Sequence, residues 1–322
     1  MRSLLAILAC VGFLMSCDKT ATPAAPSGSS PIVLQLNWKA EPQFGGFYAA
    51  QQGGKFAGQH LVVDVREGGA GTPTIDMVAA GTVPFAVVSG DELIVARARG
   101  KKVVALYAVY QTHPQGIMTH AARGFKEIGD VFKSDGILAM QAGLAYADFL
   151  KNKFGFDKVK IVPSPGGDLS TFRSDDKYSM QCFVTSEPLA AKKLGLDVKT
   201  FLIADAGYNP YATVLVTTED YLNANRVTVE SMVQAVAEGW EQYLTDPTAA
   251  NSEMGKINKT MDAQTFTEAA EAQKPLIQNN DTATNGLGSM TKERWESLGK
   301  QLVELKLVDK APSAEECFVK IR

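Results

Sequence analysis

Metal-ligating residues are scarce in this chain. Four cysteines and three histidines are spread over 322 residues, and neither the cysteines nor His60, His113 and His120 fall at the short spacings that hold a metal ion. An excess of charge of one sign is missing too. The 32 Lys and Arg against 35 Asp and Glu leave a net charge of -3 and a pI near 5.8, without the concentrated basic face that DNA or RNA requires. Beyond the N-terminal leader no run approaches the ~20 apolar residues that span a bilayer, so a partner must supply any passage through a membrane. What remains is an ordinary globular composition, 45% hydrophobic and 21% charged, in a length that suits two domains or one large one with a sizeable core.

The N-terminus reads as an export signal. Arg2 is a lone positive charge, residues 4–15 form an apolar stretch of signal-peptide length, and Leu14-Met15-Ser16-Cys17 closes it. Those four residues resemble a bacterial lipobox, which predicts a signal peptide at 1–16 and a lipidated Cys17 as the only membrane attachment. Cys10 is a weaker match because a cut there leaves too short an apolar region. Residues 17–30 have no aliphatic side chain larger than alanine and read as a flexible tether, placing the folded body at the outer face of a cytoplasmic membrane. Of the other cysteines, Cys182 and Cys317 can form a disulfide in such a compartment, although no spacing brings them together.

Residues 31–52 organise the rest. Residues 32–36 predict a strand ending in Asn37-Trp38, followed by a loop broken by Pro42 and Gly45-Gly46, then a helix from Phe47 onward whose first turn leaves free backbone N–H groups facing that loop. A core strand and helix with buried aromatics accounts for the same residues. Further strands follow at 61–65, 85–88 and 103–110, with Thr74 capping one intervening helix and Ser89-Gly90-Asp91 supplying the loop and cap of the next. This alternation predicts an open α/β sheet, where ligands gather beyond the carboxyl ends of strands. Trp38, Ser89 and Asp91 fall at such ends, and an ordinary cap and turn also explains Ser89 and Asp91.

The pattern restarts near Gly116, with strands at 117–118, 137–140, 159–162, 182–184 and 200–204. A strand-to-helix turn carries Gly143 and Tyr146. Pro188 suits the first turn of a helix at 189–194, with Glu187 beside it. A polar, aromatic connector at 205–211 contains Tyr208 and Tyr211. After a strand at 213–217 the chain is largely helical. Thr228 is the expected cap of a helix whose Val229, Met232, Val233, Val236, Trp240, Tyr243 and Leu244 form a core stripe. Trp295, Leu298, Leu302 and Leu305 repeat the pattern in the final helix, and residues 278–289 read as a loop.

Two α/β sets, two short connectors and a helical return to the first set make the plan of a hinged two-lobe binding protein. Lobe 1 takes residues 31–112 and 208–322, and lobe 2 residues 113–207. Three motifs then resemble one family: LQLNWKxEPQFGGFYAAQ at 34–51, CFVTSEP at 182–188 and ADAGYNPY at 204–211. They are similar to substrate-binding proteins of ABC importers, in the subgroup related to thiamine-pyrimidine-binding proteins and to the eukaryotic pyrimidine synthase of thiamine biosynthesis.

The resemblance implies a type II periplasmic-binding-protein fold, two α/β lobes joined by a two-stranded hinge. It implies a monomer without cofactor or catalytic residues that passes a small heteroaromatic ligand to ABC permease and ATPase subunits. Cleft positions are implied at Asn37, Trp38, Gly46, Tyr48, Tyr110 and Glu187. Glu187 can accept hydrogen bonds from the amine or ring N–H of an aminopyrimidine, or it can simply favour a helix start. Trp38 with Tyr110 or Tyr208 can sandwich a flat ring. The chain departs from the subgroup at Phe44, where thiamine-pyrimidine members usually carry histidine. That change suits a larger or less polar flat molecule and keeps flavin, nitrate and sulfonate as alternative ligands. The synthase needs that histidine and a cysteine-rich iron motif, and this chain has neither. A sensor lobe reporting to a kinase is a further alternative.

Overall fold

The computed structural model describes residues 30–321 apart from 142 and 165. The expected signal peptide, the lipidation site Cys17 and all but the last residue of the tether lie outside the described residues.

The chain first builds β1 (Ile32–Gln35), α1 (Gly45–Gln52), α2 (Lys55–Gly58), β2 (Val63–Arg66), α3 (Thr74–Ala79), β3 (Phe85–Val88), α4 (Gly90–Ala98) and β4 (Val103–Tyr110). It then crosses to β5 (Gln115–His120), α5 (Ile128–Phe132), β6 (Gly136–Met140), α6 (Ala145–Phe154), β7 (Val159–Pro163), α7 (Ser170–Ser174), β8 (Tyr178–Phe183), α8 (Glu187–Lys193) and β9 (Val198–Leu202). It returns in β10 (Ala212–Thr218) and continues as α9 (Glu219–Ala224), α10 (Arg226–Thr245), α11 (Thr248–Ile257), α12 (Ala263–Ile277), α13 (Asn280–Asn285), α14 (Lys292–Glu304) and α15 (Ala314–Cys317). Among the described residues no helix is long and apolar enough to cross a membrane.

Two five-stranded sheets result, ordered β2-β1-β3-β10-β4 and β7-β6-β8-β5-β9. Each is mixed. β10 lies antiparallel between β3 and β4, because it enters the first sheet on its way back from the second lobe. β5 is antiparallel to β8 and β9. The remaining pairs are parallel, so β1, β2 and β3 all end on one side of the first sheet, and β6, β7 and β8 on one side of the second. The loops beyond those ends are where an open α/β sheet receives a ligand.

The first lobe is clamped by α10, whose expected stripe is buried along its length. The helix packs on α1 at a distance only glycine allows. A Cβ on Gly46 would lie 2.2 Å from the Trp240 ring, and one on Gly239 would lie 2.3 Å from the Gly46 carbonyl oxygen. Phe47 meets the Trp240 indole edge-on at 6.0 Å.

Several boundaries differ from the sequence reading. α10 begins at Arg226 with Asn225 before it, so Thr228 is inside the first turn and not its cap. Thr74 likewise is helical, behind Pro73. Residues 278–289 are not merely a loop: Asn279 and Thr282 form a reciprocal capping box that starts α13, in which the two side-chain oxygens accept from two backbone N–H groups at the helix start. Leu305 follows the last residue of α14, and α15 comes after it. Cys182 and Cys317 are free and buried. They sit in separate apolar clusters, so no disulfide joins them.

Candidate functional site

The loop after β1 is held from both sides. Trp38 accepts a hydrogen bond at its carbonyl from the Gly68 N–H at 2.8 Å, and Glu67 accepts one from the Ala40 N–H at 3.3 Å. From the C-terminal helices, Asn258 donates to the Ala40 carbonyl at 3.2 Å and Gln273 to the Pro42 carbonyl at 3.0 Å. Tyr110 donates in turn to Gln273 Oε1 at 2.5 Å. A strand end with so many backbone ties presents its side chains in fixed positions.

Those side chains are Asn37, Trp38 and Glu41, all partly buried. Burial, and then the charge of Glu187, push the Glu41 pKa up to about 7, with Lys39 and the Trp38 side chain opposing that shift. Glu187 belongs to the other lobe. It opens α8, where its carboxylate accepts from the Phe183 N–H at 2.8 Å, and burial raises its pKa as well, against the lowering effect of its backbone hydrogen bonds. The two sets of strand ends therefore meet as two walls, each carrying a carboxylate whose charged form is disfavoured. Glu41 was not among the expected site residues. The only sequence signal for it was an acidic residue next to proline in the loop where Trp38 lies.

The other expected residues divide into four groups. Tyr110 lies beneath the first wall, fully buried, with its hydroxyl committed to Gln273. Ser89, Asp91 and Tyr208 meet at the joint between lobes. Ser89 precedes α4 and donates to the Tyr211 carbonyl at 3.4 Å, while Tyr208 donates to Asp91 at 2.7 Å and stacks on Phe149 of α6 at 5.3 Å. Tyr208 thus ties α4 to α6, and neither Tyr110 nor Tyr208 has its hydroxyl free in this conformation.

Phe44, Gly46, Tyr48 and Tyr211 form the third group, in lobe 1 interior positions. Phe44 and Tyr48 belong to the main core cluster, and Gly46 makes room for Trp240. The Tyr48 hydroxyl is buried without a hydrogen-bond partner, and burial, then the charges of Glu67 and Glu253, raise its pKa. Tyr211 accepts from the Thr291 N–H at 3.0 Å, and the Arg294 guanidinium covers its ring at 3.9 Å. In lobe 2, Gly143 is exposed with φ +78° after β6. Tyr146 donates to Gln181 Oε1, which also accepts from the Gln141 N–H at 2.5 Å. Gln181, not singled out from sequence, organises that turn.

The two crossings between lobes are stitched to one another. Asn209 accepts from the His113 N–H at 2.8 Å and donates to the Gln111 carbonyl at 3.3 Å. Arg294 donates to the Asn209 carbonyl at 3.0 Å. Burial pushes the His113 pKa down to about 4, with Asp91 opposing and Arg294 reinforcing that shift. A neutral imidazole is consistent with its Nδ1 accepting from the Gln115 N–H at 3.1 Å.

A family profile described as NMT1/THI5 like matches residues 41–250. The chain is 21% identical to the formylaminopyrimidine-binding protein of Halalkalibacterium halodurans over 332 residues, covering 99% of this chain and 98% of that protein. It is 23% identical to the riboflavin-binding protein RibY of Chloroflexus aurantiacus, covering 91% and 87%. Among solved structures, the periplasmic aliphatic sulphonate binding protein SsuA from Escherichia coli superposes with a TM-score of 0.69 at 13% identity, over 90% of this chain and 93% of that one. That likeness is one of fold: two α/β lobes in the arrangement of periplasmic binding proteins.

Proposed function

This chain belongs to the NMT1/THI5-like family, and from that premise we propose that it is a receptor for a small heteroaromatic metabolite rich in hydrogen-bond donors, an aminopyrimidine or a related ring. It is a solute-binding protein and not an enzyme. What supports the ligand reading is a buried carboxylate on each lobe, Glu41 after β1 and Glu187 at the start of α8, where Trp38 of one lobe and Val184 of the other both pack against the lobe 1 core. Two carboxylates on facing walls are relieved by donors from a ligand between them. An anion such as a sulfonate or nitrate would disfavour the charged forms of both carboxylates still further in a partly desolvated site, which costs free energy. Trp38, whose backbone is held by Gly68, supplies the flat apolar surface on which a ring stacks.

In this reading the ligand enters between open lobes, and contacts to both walls favour the closed form. The asparagine, tryptophan and two glutamates form the binding surface, while Tyr110 and Gln273 hold the first wall in place. Delivery is to an ABC permease and its ATPase, with the receptor, a monomer, tethered by lipid at Cys17 on the outer face of the cytoplasmic membrane. Native mass spectrometry of the purified protein tests the ligand class. A co-purifying mass matching an aminopyrimidine or flavin supports it, and an organic sulfonate in its place overturns it.

A pH experiment follows from Glu41. Its folded pKa of about 7 lies above the ordinary 4.5, so within that window the folded protein holds a proton that the unfolded chain has released. The contribution of this group to stability is present below the window and is lost as pH rises through it. In spectra of protein labelled with 13C-glutamate, Glu41 and Glu92 are both expected to titrate near 7 without ligand, and only the signal that Glu41→Gln removes is expected to fall well below that with formylaminopyrimidine bound. An unshifted titration on adding ligand removes Glu41 from the binding surface.

A further inference from the structure

One ion pair joins the lobes among the described residues. Lys193, in the last turn of α8, reaches Asp262 at 2.6 Å and the Thr265 hydroxyl at 2.5 Å, both at the start of α12. The partners suit their helix ends. A cation at the C-terminus of α8 and an anion at the N-terminus of α12 each complement the local backbone dipole, and Asp262 also caps α12 by accepting from the Thr265 N–H at 2.7 Å.

Both helices lead to the cleft. α8 begins with Glu187, one carboxylate of the facing pair. α12 carries Gln273, which grips Tyr110 and the Pro42 carbonyl. Near its end the Leu276 carbonyl accepts from the N–H groups of Gln111 and Thr112, each at 2.9 Å, in the first crossing between lobes. The ion pair, the first wall and the joint are thus tied to a single helix.

We propose that Lys193 and Asp262 form a latch that holds the lobes closed and sets how long a bound ligand stays. The proposal rests on the reading of the protein as a hinged receptor. Lys193 is a positioning residue, since it acts on the ligand through the lobes. The Lys193 side chain is 26% exposed and that of Asp262 63%, so water and salt screen the pair and its effect is moderate.

The test uses Lys193→Met, Asp262→Asn and the double variant, with Lys192→Met as the control on the same helix. Asparagine keeps a good helix cap while removing the charge. Small-angle scattering of ligand-free protein is expected to give a larger radius of gyration for both single variants than for wild type at low salt, and the same value for all in 0.5 M NaCl, a concentration at which screening extends over only ~4 Å. Stopped-flow dissociation of formylaminopyrimidine should quicken by about two- to fivefold in each single variant. The double variant should quicken no further, and Lys192→Met should match wild type. Wild-type scattering and dissociation in both single variants overturn the latch. Failure of wild-type protein to bind formylaminopyrimidine counts against the ligand reading alone, because the scattering comparison still decides the latch.

Discussion

Glu187→Gln is expected to weaken capture of formylaminopyrimidine by at least tenfold. The carboxylate offers a charged acceptor on the lobe 2 wall, and hydrogen bonds to charged groups contribute about 1.5–3 kcal/mol, which corresponds to roughly 10–150-fold in affinity. Glutamine keeps the size of the side chain and an oxygen for the Phe183 N–H that Glu187 now binds at 2.8 Å, so the start of α8 survives. The loss therefore reports on the ligand and not on folding. Trp38→Ala should cost at least as much, because it removes the stacking surface, worth about 0.5–1.5 kcal/mol beyond area burial, together with the apolar area that the indole buries against a ligand. Isothermal titration of both variants, with thermal melts to verify the fold, is the check. Wild-type affinity in both would remove these residues from the cleft.

Gly46→Ala is expected to destabilise the protein by about 1–3 kcal/mol, the range for overpacking a filled interior. The new methyl would sit 2.2 Å from the Trp240 ring, and that ring is fixed between Phe47 and Tyr243 at centroid distances of 6.0 and 5.7 Å. Trp240→Ala on its own should cost about 3–5 kcal/mol. The two are coupled. In the Trp240→Ala background the added methyl enters space the indole has left, so Gly46→Ala should there be close to neutral, and the double variant should be clearly more stable than the sum of the two losses implies. Urea denaturation of the four proteins measures this. Additive losses, or a Gly46→Ala protein of normal stability that no longer binds ligand, would return Gly46 to the cleft and contradict its placement in the helix contact.

The parts of this protein legible in its sequence are those set by local patterning. The α10 stripe could be read residue by residue, because helical periodicity alone decides which side chains face the core. The alternation of strands and helices revealed two α/β sets, and three motifs pointed to the family. What escaped depended on distant partners. Glu41 acquires its character first from burial and then from the charge of Glu187 on the other lobe, and no local pattern announces either. Tyr211 lies in a connector of cleft-like composition, but Arg294 and Thr291 from a late segment claim its ring and hydroxyl. The antiparallel placement of β10 depends on where the chain re-enters the sheet. α13 was hidden because its Asn-, Asp- and Thr-rich composition is that of a turn, and a capping box overrides it.

Buried carboxylates on both lobes are expected to select a donor-rich ring over an anion. Isothermal titration of the purified protein near pH 7.5 with formylaminopyrimidine, riboflavin, an alkanesulfonate and nitrate measures that preference. Saturable binding of at least one of the two heteroaromatic compounds, and of neither anion, is expected. Saturable binding of the sulfonate or nitrate, with neither ring compound bound, would contradict it.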